Sequence, residues 1–356
     1  MKRHIKIGLF LGFVLVFVSV SFSFGVELKH WPQKEAKILE KFIEQHADQG
    51  EYAVFDADNT IWYRDLEESL LPYLENKGLL TRRTIDPSLK LIPFHPEDTL
   101  VSYAYKLYDI DHKVGYPWIA QVFSGFTLGE LKNYVDDLFA LNGAKVPCKY
   151  WDNGKLVEYK PETPRIYPGQ RELINALQAN GIEVYVVSAA LEELARMVVS
   201  DPKYGINVKP ENVIGVSCLL KDRKTFDVTT ARLQIKRGHF FDDKYTKETH
   251  YKKELTPYIW GPNTMYVGKL AAIKDYIHPV KRPILVAGDS PNDHFMLFYS
   301  DYAKGGLKLW INRKEKYWKK TQKAFALRAR QEKELDLKVT ADKNWIMVRP
   351  KDIGIN

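Results

Sequence analysis

Cysteine is scarce in this sequence: Cys148 and Cys218 are the only ones among 356 residues. They lie far apart and in no metal-ligand spacing, which excludes a thiolate metal centre and a disulfide scaffold. One disulfide in an oxidising compartment and two unrelated buried thiols both remain open. Internal repeats and low-complexity tracts are also absent, so the chain is no repeat array. With 45% hydrophobic residues it reads as globular, large enough for one large core or two modest ones. Long apolar runs are confined to the N-terminus, where Lys2, Arg3 and Lys6 precede an apolar stretch at 7–18 and then the small residues of "SVSFSFG". That order predicts a signal peptide over residues 1–25, cleaved near Gly25. An uncleaved anchor over residues 5–24 is the alternative, just long enough for a bilayer, but Ser19, Ser21 and Ser23 dilute it. Either reading places the rest of the chain outside the cytoplasm, periplasmic or secreted.

A strong charge of one sign is missing as well. The formal net charge of +8 falls to +5 once Lys2, Arg3 and Lys6 are removed. The basic cluster at 313–333, "RKEKYWKKTQKAFALRARQEK", interleaves its charges with apolar residues at helical spacing. It reads as a solvated helix face, and no nucleic-acid partner is expected of an exported chain. No stable membrane partner is expected beyond export, unless the signal stays uncleaved.

Three short runs share one pattern. "YAVFD" (52–56), "EVYVVS" (183–188) and "PILVAGD" (283–289) are apolar almost throughout, without alternation, as strands covered on both faces are. Each ends in an oxygen-bearing side chain. Helical signals lie between them: "PGQRELINALQANG" (168–181) has Pro in its first turn and Gly at its end, and "LEELARMVV" (191–199) follows the second strand directly. The alternation predicts an α/β fold, a Rossmann-like parallel sheet with helices on both faces. In such sheets ligands sit at the carboxyl ends of the strands, so the polar strand ends converge on one crevice. Residues 62–165 carry mostly helical patterns and many aromatics, and read as a helical cap inserted into a core formed by 26–61 and 166–356. The stretch 216–265 is irregular and suggests no clear element.

The chemistry follows from the strand ends. Asp56 and Asp58 in "DADNT" leave one strand one residue apart, so one carboxylate can attack while the other handles a proton. A carboxylate nucleophile suits phosphorus, where an aspartyl-phosphate divides one hard displacement into two easier ones. Asp289 and Asp293 in "GDSPND" offer hard oxygens of the kind that hold Mg²⁺. Lys269 can offset phosphoryl charge, and Ser188 can donate a hydrogen bond to it. Each feature alone has an ordinary reading: a turn former, a helix cap, a solvated lysine. Their joint order is the informative signal.

That order, "DADNT", "VVSAA", Lys269 and "GDSPND", resembles the four motifs of the haloacid dehalogenase superfamily. The resemblance implies Asp56 as nucleophile, Asp58 as general acid/base, and Ser188 with Lys269 as the phosphoryl-binding pair. It implies a Mg²⁺ shell, or that of another divalent cation, from Asp56, the main-chain carbonyl of Asp58, and Asp289, with Asp293 binding or orienting that shell. Asn59, Thr60 and Ala189 fall within the matched motifs as substrate-binding positions. Longer stretches, among them "DLEESLLPYLENKGLLTRRTIDPSLKLIPF", "YPWIAQVFSGFTL" and "TADKNW", look like the secreted bacterial phosphorylcholine phosphatases from about residue 50 onward. One departure is visible: family members carry extra acidic residues after the fourth motif's Gly-Asp, and here Asp293 stands alone. A trimethylammonium group makes no hydrogen bonds and is held by aromatic faces with a carboxylate nearby. The region from the first motif into the cap offers Trp62, Tyr63, Tyr103, Tyr105, Tyr108, Tyr116 and Trp118, beside Glu67 and Glu68, and the resemblance points to Glu68. The resulting expectation is an exported Mg²⁺-dependent phosphomonoesterase acting on phosphorylcholine. The alternatives are a phosphatase for phosphoethanolamine or other small esters, and an inactive phosphoester-binding protein.

Overall fold

The computed structural model describes residues 26–152, 154–239 and 252–355. The expected signal segment, residues 1–25, lies outside the described residues. Among the described residues no helix is long and apolar enough to cross a membrane.

A six-stranded, all-parallel sheet forms the centre. Tyr52–Phe55 is buried at every position and lies between Glu183–Leu191 on one side and Leu285–Gly288 on the other. Val213–Val216 extends the first side, and Leu307–Ile311 followed by Trp345–Val348 extends the second. Covering both faces explains the continuous apolar runs: alternate residues feed two separate hydrophobic clusters, Ala53 and Phe55 on one face and Tyr52 and Val54 on the other. The chain runs outward from Tyr52–Phe55 in one direction, then returns to its opposite side. This reversal opens a crevice between Tyr52–Phe55 and Leu285–Gly288, where Asp56 and Asp289 emerge. The fold is α/β, with the Rossmann-like parallel sheet expected from the strand pattern. Three of the six strands were legible as such in the sequence.

Residues after the first strand leave the sheet through an antiparallel ribbon, Trp62–Tyr63 against Arg165–Ile166. Arg64 and Glu162 pair across its base at 3.1 Å. Between the two ribbon strands lie the helices Leu66–Asn76, Leu100–Ile110, His112–Gln121 and Leu128–Ala140. The first begins on an Asp65 cap accepting the Glu68 N–H, and the last on a Thr127/Glu130 capping box. This region is not purely helical, since Cys148–Asp152 and Lys155–Tyr159 form a hairpin packed against Leu100–Ile110.

The stretch 216–265 does contain elements. Cys218–Asp222 pairs antiparallel with Val228–Thr229 and with Lys253–Ile259, making a three-stranded sheet. It docks onto the inserted helices: Gly125 donates to the Leu255 carbonyl and Leu255 to the Phe126 carbonyl, both at 2.9 Å. Cys148 and Cys218 are separate free thiols, each pushed up to about 12 chiefly by burial. The basic cluster forms the helix Glu315–Glu334, buried only at Thr321 and Glu332. Its first residues depart from the expected solvated face, because Arg313, Lys314 and Tyr317 line the central cavity.

Candidate active site

A cavity of about 460 Å³ lies between the carboxyl ends of the strands and the inserted helices. The first strand delivers Asp56 to its floor, with the Asp56 N–H bonded to the Ala287 carbonyl at 3.0 Å. The chain then turns sharply. Asn59 takes a left-handed φ of 60°, which asparagine tolerates, and its Oδ1 accepts the Arg64 N–H at 3.1 Å. Thr60 places its hydroxyl 3.4 Å from Asp56 Oδ2. Asp58 points toward the inserted helices, its Oδ1 accepting from Trp62 Nε1 at 2.7 Å and the Leu66 N–H at 2.8 Å.

Lys269, 1% exposed, comes from the helix Val267–Ala272 and bridges two carboxylates. Its Nζ lies 2.5 Å from Asp56 Oδ1 and 2.6 Å from Asp293 Oδ1. The loop before it is tightly held: Tyr266 has φ 50°, donates its N–H to Asn292 Oδ1, and touches His112 through its hydroxyl at 2.6 Å. Asp293 is fully engaged, its Oδ2 accepting the N–H groups of Asp289 and Ser290, both at 3.0 Å. Asp289 Oδ2 accepts from Arg313 Nε, while its Oδ1 has no hydrogen bond among the described residues. Ser188 is buried, accepts the Ala190 N–H at 3.2 Å, and lines the cavity with Ala189.

Burial dominates the electrostatics. Asp56 is pushed up to about 8 by desolvation and by Asp293, with Lys269 pulling it back. Asp58 is held well above the usual carboxylate range by burial and then by Asp65. Lys269 is raised despite burial, because Asp293 and Asp56 favour its charge. Ligand oxygens of Asp56, Asp289 and Asp293 lie within 4.8 Å of one another. Three carboxylates face only two cations, Lys269 and Arg313, and a further positive charge among these hard oxygen donors would favour their ionised forms. That set fits a divalent cation such as Mg²⁺.

The far end of the cavity differs. Glu68 is half-buried and accepts from the hydroxyls of Tyr105 at 3.0 Å and Tyr159 at 2.5 Å. Glu67 accepts the Leu191 N–H at 2.8 Å and is pushed up to about 8, mainly by burial. Asp65 is pushed up to about 6 by burial and by Glu68. Among the described residues none of these three forms an ion pair. Tyr105, Tyr108 and Tyr116 line this end with them.

The structure therefore gathers Asp56, Asp58, Asn59, Glu68, Ser188, Ala189 and Asp289 around one cavity. Thr60, Lys269 and Asp293 lie directly behind them. It does not bring all the aromatics there. Trp62, Tyr103 and Trp118 are fully buried packing residues, and Tyr63 packs near Tyr167 at 6.1 Å under Arg64. Sequence reasoning missed Arg313, Lys314, Tyr317 and Tyr159. A signal for Arg313 existed: "LKLWINR" is a further apolar run ending in polar residues.

A parallel sheet presenting Asp56 and Asp289 at its switch point, with Lys269 between two carboxylates and an inserted segment over them, is the arrangement that the resemblance to haloacid dehalogenase-type phosphohydrolases implied. No family model matches the chain. It is 53% identical over 333 residues to phosphorylcholine phosphatase of Pseudomonas aeruginosa, covering 92% of this chain and 94% of that one. The chain belongs to the phosphorylcholine phosphatase family and is a phosphomonoesterase. A functionally unknown protein from Anaerococcus prevotii shares the fold, with a TM-score of 0.55 at 18% identity over 85% of this chain and 90% of its own.

Proposed function

We propose that this phosphomonoesterase is exported and hydrolyses phosphorylcholine to choline and phosphate, with Mg²⁺ or a similar divalent cation, through an aspartyl-phosphate on Asp56. The carrying observation is the cap end of the cavity. Asp65, Glu67 and Glu68 form no ion pair among the described residues, only Asp65 feeling the more distant Arg313, and tyrosine rings stand beside them. That end suits a bound quaternary ammonium, and the name of the 53% identical relative points the same way.

In this reading Asp56 attacks phosphorus and the ester P–O bond breaks. Asp58, which burial favours as the protonated acid, gives its proton to the departing choline oxygen. It then takes a proton from the water that attacks the phosphoryl group; as the water oxygen bonds to phosphorus the Asp56 O–P bond breaks, which releases phosphate and restores the Asp56 carboxylate. Lys269 holds Asp56 in line and offsets its charge. Ser188, Asn59, Thr60 and Ala189 surround the phosphoryl position. Asp56, Asp289 and the Asp58 main-chain carbonyl would hold the cation, with Asp293 orienting Lys269 and the 289–290 turn. A bound cation supplies charge neutralisation for the phosphoryl oxygens. Export rests on the basic, apolar, small order of residues 1–25, and the 62–165 cap on the ribbon through which the chain leaves and returns.

Steady-state kinetics on phosphorylcholine, phosphoethanolamine and phosphoserine, with and without chelator, test the proposal. The highest kcat/KM should be for phosphorylcholine, and chelation should abolish it. Equal rates on all three would replace it with a broad small-ester phosphatase. Export is tested by N-terminal sequencing of enzyme recovered outside the cytoplasm, which should begin near residue 26.

A further inference from the structure

The sheet end of the cavity holds a second cation outside the four sequence motifs. Arg313 stands two residues beyond the strand Leu307–Ile311, on the same edge of the sheet as Asp289. Its side chain is 17% exposed. Nε donates to Asp289 Oδ2, and the guanidinium carbon lies 5.1 Å from the Tyr317 ring centroid. The two terminal nitrogens have no hydrogen-bond partner among the described residues, and Arg313 lines the cavity. An arginine anchored at Nε still offers planar N–H donors that match phosphoryl oxygens.

The motif donors supply single N–H or O–H groups: two of the three Lys269 donors go to Asp56 and Asp293, and the Ser188 hydroxyl keeps its own donor while accepting the Ala190 N–H, but neither offers a planar pair. A phosphoryl dianion beside Asp56, Asp289 and Asp293 brings the negative charge to five. Lys269 and a divalent cation supply three positive charges and Lys314, which also lines the cavity, a fourth, which still falls short without Arg313. We propose that Arg313 donates to oxygens of the transferring phosphoryl group, making it a further catalytic residue for this reaction. The inference rests on the reading in which Asp56 faces phosphorus, and is independent of which alcohol leaves.

The test uses full-length enzyme at saturating Mg²⁺, an aryl phosphate as reporter, and inorganic phosphate as the probe. Arg313→Gln should weaken phosphate, read as its inhibition constant and by calorimetric titration, by about tenfold or more. Arg313→Lys should fall between, since it keeps the charge and loses the fork. Choline, as a competing ligand, should bind unchanged in both. An unchanged phosphate constant at saturating metal, with only the Mg²⁺ requirement shifted, overturns the proposal and leaves Arg313 as a positioning residue for Asp289. Should Arg313→Gln fail to fold, Arg313→Lys alone decides by the same constant. Failure of the choline assignment would appear instead in the substrate comparison, where the aryl phosphate plays no part.

Discussion

At the sheet end of the cavity the clustered carboxylates meet cations: Asp56 and Asp293 share Lys269, and Asp289 has Arg313. At the cap end, Asp65, Glu67 and Glu68 meet only neutral donors, namely backbone N–H groups and tyrosine hydroxyls. The first arrangement is internally compensated and can hold its shape without a ligand. In the second, burial without a paired cation disfavours the charged forms and pushes Asp65 to about 6 and Glu67 to about 8, although Arg313 lies near enough to pull Asp65 partly back. In the proposed mechanism, compensation at one end preorganises Asp56 for attack on phosphorus. Its absence at the other leaves an electrostatic vacancy that a cationic ligand would fill.

The sharpest break in this contrast is at the compensated end. Asp56→Asn keeps the shape but removes the nucleophile, so turnover should vanish while the circular dichroism spectrum is retained. Activity within about a hundredfold of the parent would sink the nucleophile assignment.

Lys269→Met comes next. It leaves Asp56 and Asp293 buried without their shared cation, and breaking such a cluster costs about 3–5 kcal/mol. Denaturant unfolding should record that loss alongside lost activity. An unchanged midpoint would mean the two carboxylates are neutral without the lysine.

At the uncompensated end the expectations are smaller and selective. Glu68→Gln keeps an acceptor for Tyr105 and Tyr159, so stability should hold. The lost charge is worth about 1 kcal/mol in a partly desolvated pocket, or roughly fivefold in KM for phosphorylcholine. Hydrolysis of an aryl phosphate, which carries no cationic group, should not change. Equal weakening of both substrates would make Glu68 a positioning residue for the cap.

A last expectation concerns pH and leaves turnover aside. The folded pKa of Glu67, about 8, lies above its ordinary 4.5. The folded chain therefore binds this proton more tightly than the unfolded chain does. The associated stability is fully present below about 4.5 and is lost as pH rises through about 8. Glu67→Gln removes that titration, so the parent's melting temperature should fall relative to the variant's between pH 5 and 8.5. Parallel curves would contradict the neutral state of Glu67.

Comparison of the strands explains what sequence reading could reach. Tyr52–Phe55 and Leu285–Gly288 are apolar runs followed by Asp56 and Asp289, and Glu183–Leu191 continues three residues past Ser188, where the sequence pattern places its end; buried parallel strands otherwise read that way directly. Leu307–Ile311 carries Lys308 inside it, which disguised the strand and the Arg313 it delivers. Lys308 is 1% exposed, and its amino group reaches the carbonyls of Thr340 at 3.2 Å and Lys343 at 2.9 Å. No local pattern could reveal those partners. The three-stranded sheet was hidden for a related reason: Cys218–Asp222 pairs with Lys253–Ile259 across a long separation, and its short, mixed segments are strands only when paired.

The aromatics mark the boundary most clearly. Tyr103, Tyr105 and Tyr108 sit on one helix, and helical phase groups Tyr105 with Tyr108 while turning Tyr103 away. The sequence alone determined that phase, as it determined the order of strand-end oxygens that defines the chemistry, because both depend on local periodicity and covalent order. Which face of the helix meets the cavity depended on how the inserted segment folds back through its ribbon. The same return brought Glu67 onto the Leu191 N–H and set Tyr159 beside Glu68. Those contacts join residues 124 and 91 positions apart, and only the packing of distant elements could decide them.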